Sequence, residues 1–297
     1  SNTTTATFTP SSAFEQKTFT ATFSTNVKDL NANALASNYS WNYNIVNTQG
    51  YFAAGPDPFY SKDGSTWVES SSSLSSGDGA DVSYGNKMFV IVHRQYSPYI
   101  YYTTDARTWT AANLTVQGGA ACNNLNSVVY GNSIWVAVGE DEHAWSSDGI
   151  NWTCIDVGDG VNYYSVAYGN SKFYAVSTGG GSGNKVKYST DGENWTKIID
   201  TTFPSTYARI AIAINPQNEN EIYFVAASTT GYGKHTHVFF GGETWTSLFK
   251  YNYLSGDGSG VGGQWTDLSA NIPANQASSF DNFNSQSSYD LMIKVHP

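Results

Sequence analysis

Few residues in this chain are of a type and spacing that could carry chemistry. The densest acidic run is Glu140-Asp141-Glu142, followed at once by His143. Two carboxyl groups held across a glycosidic bond suffice for hydrolysis, so this run is the place to look for a glycosidase. Three adjacent loop acids serve equally well as a solvated or cation-binding turn, and spacing along the chain does not fix the distance between their carboxyls. Arg94, Tyr96, Tyr99, Tyr163 and Tyr164 lie in other segments with the same potential. Tyrosine rings stack on the apolar faces of sugars while their polar tips bond hydroxyls. With 21 tyrosines in the chain, a Tyr-rich solvated rim is the competing reading.

Metal chemistry has weaker support. His235 and His237 would point to one face of a strand, but no third ligand accompanies them. Asp78, Asp159 and Asp257 each sit in a Gly-Asp-Gly turn and could offer oxygens to Ca2+, without the clustered acids of a complete loop site. Turn formation explains them as well. No other metal and no cofactor is expected, since no Ser/His/Asp set, phosphate loop or cofactor motif stands out.

The elements that must position these residues are repeats. Tyr188-Ser189-Thr190-Asp191-Gly192-Glu193-Asn194-Trp195-Thr196 has three near copies, marked by Ser61, Asp63, Gly64 and Trp67, by Asp105 and Trp109, and by Ser146, Asp148, Gly149 and Trp152. Their aspartates are 42, 43 and 43 residues apart, a period that signals one supersecondary unit repeated, such as a propeller blade. Each copy reads as a hairpin turn. The aspartate accepts bonds from the turn's own amides, the glycine takes a positive φ, and the tryptophan leaves to fill the packing. Ala106 leaves one turn without its glycine. Tyr-Gly-Asn recurs at Tyr84, Tyr130 and Tyr168, and its Gly-Asn suits a tight hairpin between the first two of four strands per unit. If the turns after first and third strands share one rim, the remaining loops line the other. Arg94, Tyr96, Tyr99, Glu140, Asp141, His143, Tyr163 and Tyr164 are then candidates for the ligand face.

The repeated turn resembles the Asp-box of sialidases and many unrelated propellers, over roughly residues 47–200. The resemblance implies an all-β propeller whose box aspartates are structural, on the rim away from the ligand. Sialidase activity would further need an arginine triad. Only Arg94, Arg107 and Arg209 are present, Arg107 sits inside a box turn, and the Phe/Tyr-Arg-Ile-Pro motif is absent. Ile210–Pro216 with Glu221–Ala226 resembles the longer Asn-Pro hairpin of xyloglucanase-type hydrolases and sortilins. Gly241–Trp245 keeps the end of a box without its Ser and Asp, Gly256–Gly260 is a Gly/Ser-rich excursion, and Trp265–Leu268 is a second strand ending. Tyr289–Pro297 copies a blade start. Five blades and the start of a sixth are thus expected, of six to eight in a full ring.

Residues 1–46 read differently, with period-two Thr/Phe alternation at Thr18–Phe23 and no box. Val27-Lys28-Asp29-Leu30, Asn33-Ala34-Leu35-Ala36 and Tyr39-Ser40-Trp41 resemble the C-terminal half of a bacterial Ig-like domain of the S-layer type. A strand region that closes the propeller is the alternative. The expected division is a partial Ig-like β-sandwich at 1–46 and a propeller at 47–297, incomplete at its C-terminus, within a longer protein.

The formal charge of -10 argues against nucleic acid or anionic membrane as main partner, because no basic stripe neutralises phosphates. No apolar run is long enough to span a bilayer. Cys122 and Cys154 are either one disulfide or two thiols. The sequons at Asn151 and Asn194 are the Asn-Trp-Thr of the repeat, so turn chemistry accounts for them. Together these features predict a noncatalytic module of a secreted or cell-surface protein, recognising a glycan or a surface protein in adhesion. An endo-acting glycoside hydrolase and a self-assembling filament or surface-layer subunit are the alternatives.

Overall fold

A computed structural model describes residues 18–23, 39–44, 51–53, 58–61, 63–70, 74, 79–94, 99–118, 122, 124–158, 160–177, 186–198, 207–228, 233–239, 242–272 and 293–296. The chain divides into two units, residues 1–51 with 62–66, and residues 52–61 with 67–297. In the first, β1 (Thr18–Phe23) pairs antiparallel with β2 (Tyr39–Asn44), Thr18 opposite Asn44 and Phe23 opposite Tyr39. The strand β1 falls where the Thr/Phe alternation places it.

Among the described residues, five sheets follow along the chain. The first blade holds β3 (Tyr51–Ala53), β4 (Phe59–Ser61) and β5 (Trp67–Glu69), and the second β6 (Gly79–Gly85), β7 (Met88–His93), β8 (Ile100–Thr103) and β9 (Thr110–Ala111). The third runs β10 (Asn113–Gln117), β14 (Asn151–Asp156), β13 (Glu142–Ser146), β12 (Ile134–Gly139), β11 (Leu125–Gly131) across the sheet. Here β10 adds a fifth, parallel strand on β14 that the four-strand reading did not foresee. The fourth blade is β15 (Tyr163–Gly169), β16 (Lys172–Ser177), β17 (Val186–Ser189) and β18 (Thr196–Lys197). The fifth is β19 (Tyr207–Ile214), β20 (Glu221–Ser228), β21 (Lys234–Phe239), β22 (Gly242–Tyr253) and β23 (Gly263–Asp267). The opening strands β6, β11, β15 and β19 lie side by side, the arrangement of an all-β propeller, whose blades bury their faces on one another.

That burial explains the apolar runs of the second strands. In β12, Trp135 and Ala137 pack toward Met88, Val90 and Val92 of the second blade, while Val136 and Val138 pack toward Phe173 and Ala175 of the fourth. Successive side chains point to opposite faces, and both faces are covered. In β16 the same alternation sends Tyr174 and Val176 toward Ile210, Ile222 and Phe224 of the fifth blade.

The Tyr-Gly-Asn hairpin differs from expectation. The turn centres are Asn132-Ser133, Asn86-Lys87 and Asn170-Ser171, with φ of 48° and 63°, 44° and 63°, 49° and 55°, so Asn, not Gly, opens each turn. The glycine is paired within the ladder and is required by the next blade. A Cβ on Gly85 would lie 2.2 Å from Cγ of Tyr130, and one on Gly131 2.1 Å from Cγ of Tyr168. On Gly169 it would meet Ile214 at 2.7 Å.

The repeated turns hold their aspartates as expected. Asp148 Oδ1 accepts from the amides of Ile150 and Asn151, both at 2.8 Å, and Oδ2 from Nδ2 of Asn151 at 2.8 Å. Ser146 donates to Asp148 and accepts from the Gly149 amide. Asp191, Asp105 and Asp63 repeat the amide bonds. Gly64, Gly149 and Gly192 take φ of 76–79°, and Ala106 adopts 60° without the help of a missing Cβ. The Asn151 and Asn194 amides are engaged with Asp148 and Asp191, so turn chemistry uses these sequons. Trp109 and Trp152 are buried, but Trp67 is 43% exposed and does not fill packing as the other copies do.

Desolvation opposes ionisation of Asp148, but the bonds from Asn151, Ile150 and Ser146 outweigh it and lower its pKa from 3.8 to about 2. A depressed carboxyl pKa stabilises the fold fully above the ordinary value and loses that contribution as pH falls through the lowered one. Asp148→Ala should therefore cost about 1–2 kcal/mol at pH 7, as for a lost cap. In urea titrations the gap to the parent chain should close as the pH approaches 2.

The fifth blade corrects the reading of Gly241–Trp245. These residues are not an eroded box: Gly242–Trp245 open the 12-residue β22, which pairs with β21 and β20 and then with β23. The connection between third and fourth strands is 254–262, where Gly258 takes a φ of 76° and Asp257 accepts from the amide and hydroxyl of Ser259. Of the expected sixth-blade start at 289–297, only 293–296 are described, outside any strand.

Candidate functional site

Each opening strand starts on the same rim where the second strand ends, as Leu125 opposite Gly139 and Tyr163 opposite Ser177 show. At this rim each opening strand carries a bulge or irregularity, between Gly79 and Asp81, Leu125 and Ser127, Tyr163 and Ser165, and Tyr207 and Ile210. Bulges re-aim side chains. The slot before the apolar Val or Ile of each strand is thus filled by Asp81, Ser127, Ser165 and Arg209.

Polar bonds join the blades here. Ser127 Oγ donates to Asp81 Oδ2 at 2.8 Å and accepts from the Val166 amide at 3.2 Å, and the Val128 amide donates to the same Asp81 oxygen at 3.0 Å. Asn126 Nδ2 donates to Asn162 Oδ1 and to the Tyr163 carbonyl. Burial raises the Asp81 carboxyl pKa, against bonds from Val128, Ser127 and Val82 that favour its ionised form. Any stability from that raised value is present at low pH and lost as pH rises through it.

The sequence candidates separate into two groups. His143 and Tyr163 are 0% exposed and belong to the packing of the third and fourth blades, not to an accessible rim. The loop after β12 is only Glu140-Asp141, so β13 begins at Glu142 and His143 is already inside a strand. Its ring lies 4.9 Å from that of Tyr163 and 4.7 Å from Trp195, and the buried Lys187 ammonium stands 4.8 Å over Tyr163. Tyr96 lies outside the described residues. Tyr99 is half-buried, its carbonyl accepting from the His93 amide.

The three acids are each committed. Glu140 Oε2 accepts from Nδ2 of Asn124 at 3.0 Å, Asp141 Oδ1 from the Val161 amide at 3.1 Å, and the buried Glu142 from the Asn124 amide at 3.2 Å. Asp141, with a φ of 57°, shapes the turn. Cys122, Glu142 and Cys154 bring ligand atoms within 4.8 Å of one another, but the sulfurs are joined in a disulfide and offer no thiolate. Of the Gly-Asp-Gly turns only Asp257 is described, bonded within its own turn. The register shifts between His235 and His237, which pair with the successive residues Trp245 and Thr244.

Arg94 and Tyr164 do come together, with a residue not foreseen as a site. The Arg94 guanidinium lies 5.3 Å from the centre of the Tyr164 ring, and that of Arg209 lies 5.8 Å from the same centre. Arg94, just after β7 of the second blade, is bridged to Asn124, just ahead of β11 of the third, Tyr164 stands in the bulge of β15 and Arg209 in that of β19. Side chains from three blades thus meet on one rim. Arg94 forms no ion pair with a described carboxylate. The signal for Arg209 was its place before the apolar run Ile210–Ile214, aligned with Asp81, Ser127 and Ser165.

Stacked blades, aligned opening strands and a rim of converging side chains define a β-propeller. More particularly, the chain belongs to the family described as the DUF6242 beta propeller domain, whose model matches residues 63–289. No curated protein matches it. Among solved structures it is similar to the Niastella koreensis GH74 enzyme (18% identity, TM-score 0.46, 73% of this chain and 29% of that one). It is also similar to YCF48 from Cyanidioschyzon merolae (15%, 0.48, 73% and 66%) and to Kuenenia stuttgartiensis hydrazine synthase (9%, 0.50, 72% and 60%). The chain spans less than two thirds of the length of each, and at these identities the likeness is one of fold alone. No helix among the described residues is long and apolar enough to cross a membrane.

Proposed function

We propose that this chain is a noncatalytic recognition module of an exported cell-surface protein, and that it binds a glycan at the rim of Arg94, Tyr164 and Arg209. The observation that carries the proposal is the meeting of these three residues from the second, fourth and fifth blades. A noncatalytic role is supported by the commitment of Glu140, Asp141 and Glu142 to hydrogen bonds within the rim. The Asp-box reading of the turns is supported by their shared Asp-to-amide bonds, and a partial Ig-like domain at 1–46, ahead of a propeller at 47–297, by the β1–β2 pair. Disulfides persist in oxidising compartments, so the Cys122–Cys154 bond favours a secreted or surface setting.

A glycan array probed with the intact chain tests this. Saccharide binding should be saturable, and Tyr164→Ala should abolish it while the melting temperature stays close to that of the parent. A folded parent chain that binds no saccharide would sink the proposal.

A further inference from the structure

We infer that reduction of the Cys122–Cys154 disulfide opens a zinc site, in which the two thiolates and the Glu142 carboxylate hold one Zn2+ ion.

Strand pairing brings these three ligands together although they are distant in sequence. Cys154 in β14 lies opposite Ala144 in β13, and Glu142, two residues before Ala144, shares its face of the sheet because side chains alternate. Glu142 is thereby a diagonal neighbour of Cys154. Cys122 arrives from the approach to β11, which is fastened here by the Asn124 amide donating to Glu142 Oε2 at 3.2 Å. The two sulfurs and a carboxylate oxygen all lie within 4.8 Å of one another, and all three residues are buried.

The donor set suits zinc. Thiolate and carboxylate are both ordinary zinc ligands, with bonds of about 2.0–2.3 Å whose tetrahedral arrangement sets the ligand atoms about 3.5–3.8 Å apart. Once the S–S bond is broken the sulfurs can part to that spacing, and the carboxylate oxygen has to close by little more than about 1 Å. Cu+ is satisfied by soft sulfur ligands alone, and Ca2+ or Mg2+ by oxygens alone, so the mixed set favours Zn2+. Burial adds a second reason. Two thiolates beside a carboxylate are unfavourable in an apolar surrounding unless a cation neutralises them, and both cysteines sit in the cluster that includes Trp135 and Trp152. A carboxylate has lone pairs for a metal as well as for an amide, so the Asn124 bond persists and orients the ligand. Three protein ligands leave the fourth position to water.

Redox state decides between covalent bond and metal. Reduction adds two electrons and two protons to the disulfide, giving two thiols, and zinc displaces both protons as it binds. In the reverse direction a small-molecule disulfide takes two electrons from the zinc-bound thiolates and leaves as two thiolates, while the protein sulfurs rejoin and Zn2+ is released. Protein disulfides form and persist in oxidising compartments. The zinc site therefore belongs to the chain before oxidation, where the metal holds the approach to β11 against β14 as the disulfide does afterwards. It is independent of the glycan reading.

The test uses the whole chain, reduced in denaturant by a water-soluble phosphine, which becomes its oxide, and refolded without oxygen. Titration with Co2+, a spectroscopic stand-in for zinc, should give thiolate charge-transfer bands and the d–d bands of a tetrahedral site, and Zn2+ should bleach them. The melting temperature of the reduced chain should rise with zinc. If the reduced chain does not refold by itself, zinc should restore its near-UV circular dichroism. The oxidised chain should bind neither ion. Glu142→Gln, which still accepts from the Asn124 amide, should weaken zinc binding at least about 10-fold, and Cys154→Ser should abolish the charge-transfer bands. Oxidised glutathione should release the metal to a zinc-sensitive dye as the disulfide reforms. No binding by the reduced chain, binding without native structure, or equal affinity in Glu142→Gln would overturn the site.

Discussion

Replacing Gly131 by alanine is expected to destabilise the propeller by about 3 kcal/mol, at or above the upper end of overpacking penalties. Gly131 has no positive φ, so backbone strain plays no part. The cause is the next blade: the new Cβ would lie 2.1 Å from Cγ and 2.4 Å from both Cδ atoms of Tyr168, a ring held in turn against Phe173 at 4.9 Å. An atom that close to a ring root cannot be accommodated by rotating a side-chain tip, and the two blades must separate. Urea denaturation measures the loss. The double variant with Tyr168→Ala isolates its origin, because residues in contact are non-additive. In that background Gly131→Ala should cost less than about 1 kcal/mol, the helix- or strand-level price of a glycine-to-alanine change being small by comparison. An undiminished penalty would mean that the contact is not what keeps glycine here.

This contact also marks the limit of what the residues reveal in order. The Asp-Gly turns were legible because everything they do is local: Asp148 bonds amides two and three residues away. Tyr-Gly-Asn was legible as a hairpin but its glycine was misassigned, since the ring it accommodates belongs to the following repeat. Trp67 matches the buried tryptophans in spacing, yet its exposure depends on neighbours rather than on the turn. The candidate site divides in the same way. Arg94 and Tyr164 were named from their loops, but their meeting with Arg209 depends on how the second, fourth and fifth blades are brought round to one rim. His143 looked accessible because it follows an acidic run that suggests a loop, whereas the two-residue connection Glu140-Asp141 leaves it in β13; Tyr163, read as part of the connection between blades, is already the first residue of β15. The Asp257-Gly258 turn of the fifth blade was read only as a Gly/Ser-rich excursion, because no tryptophan follows it at the spacing of the other turns.

Reduction of the Cys122–Cys154 disulfide should lower the unfolding free energy by about 3–4 kcal/mol, the chain entropy expected for a closed loop of this size. The two cysteines are 32 residues apart in sequence and sit in one blade, one ahead of its opening strand β11 and the other in β14. Both are nearly inaccessible, at 2% and 1% exposure, within the cluster that includes Trp135 and Trp152. The bond therefore ties the approach to the inner strand to the outer part of the same sheet. Since the Asn124 amide donates to Glu142 beside it, loosening this approach should also loosen the Arg94–Asn124 bridge at the rim. Two observations check the account. Under native conditions a water-soluble thiol reductant should act slowly, and the thiols should become labelled only as denaturant opens the blade. The Cys122→Ala/Cys154→Ala chain should show the stability loss in urea together with weaker ligand binding per folded molecule. An unfolding free energy lowered by less than about 1 kcal/mol, against the loop-closure expectation, would mean that the packing of the third blade fixes these segments without the covalent link.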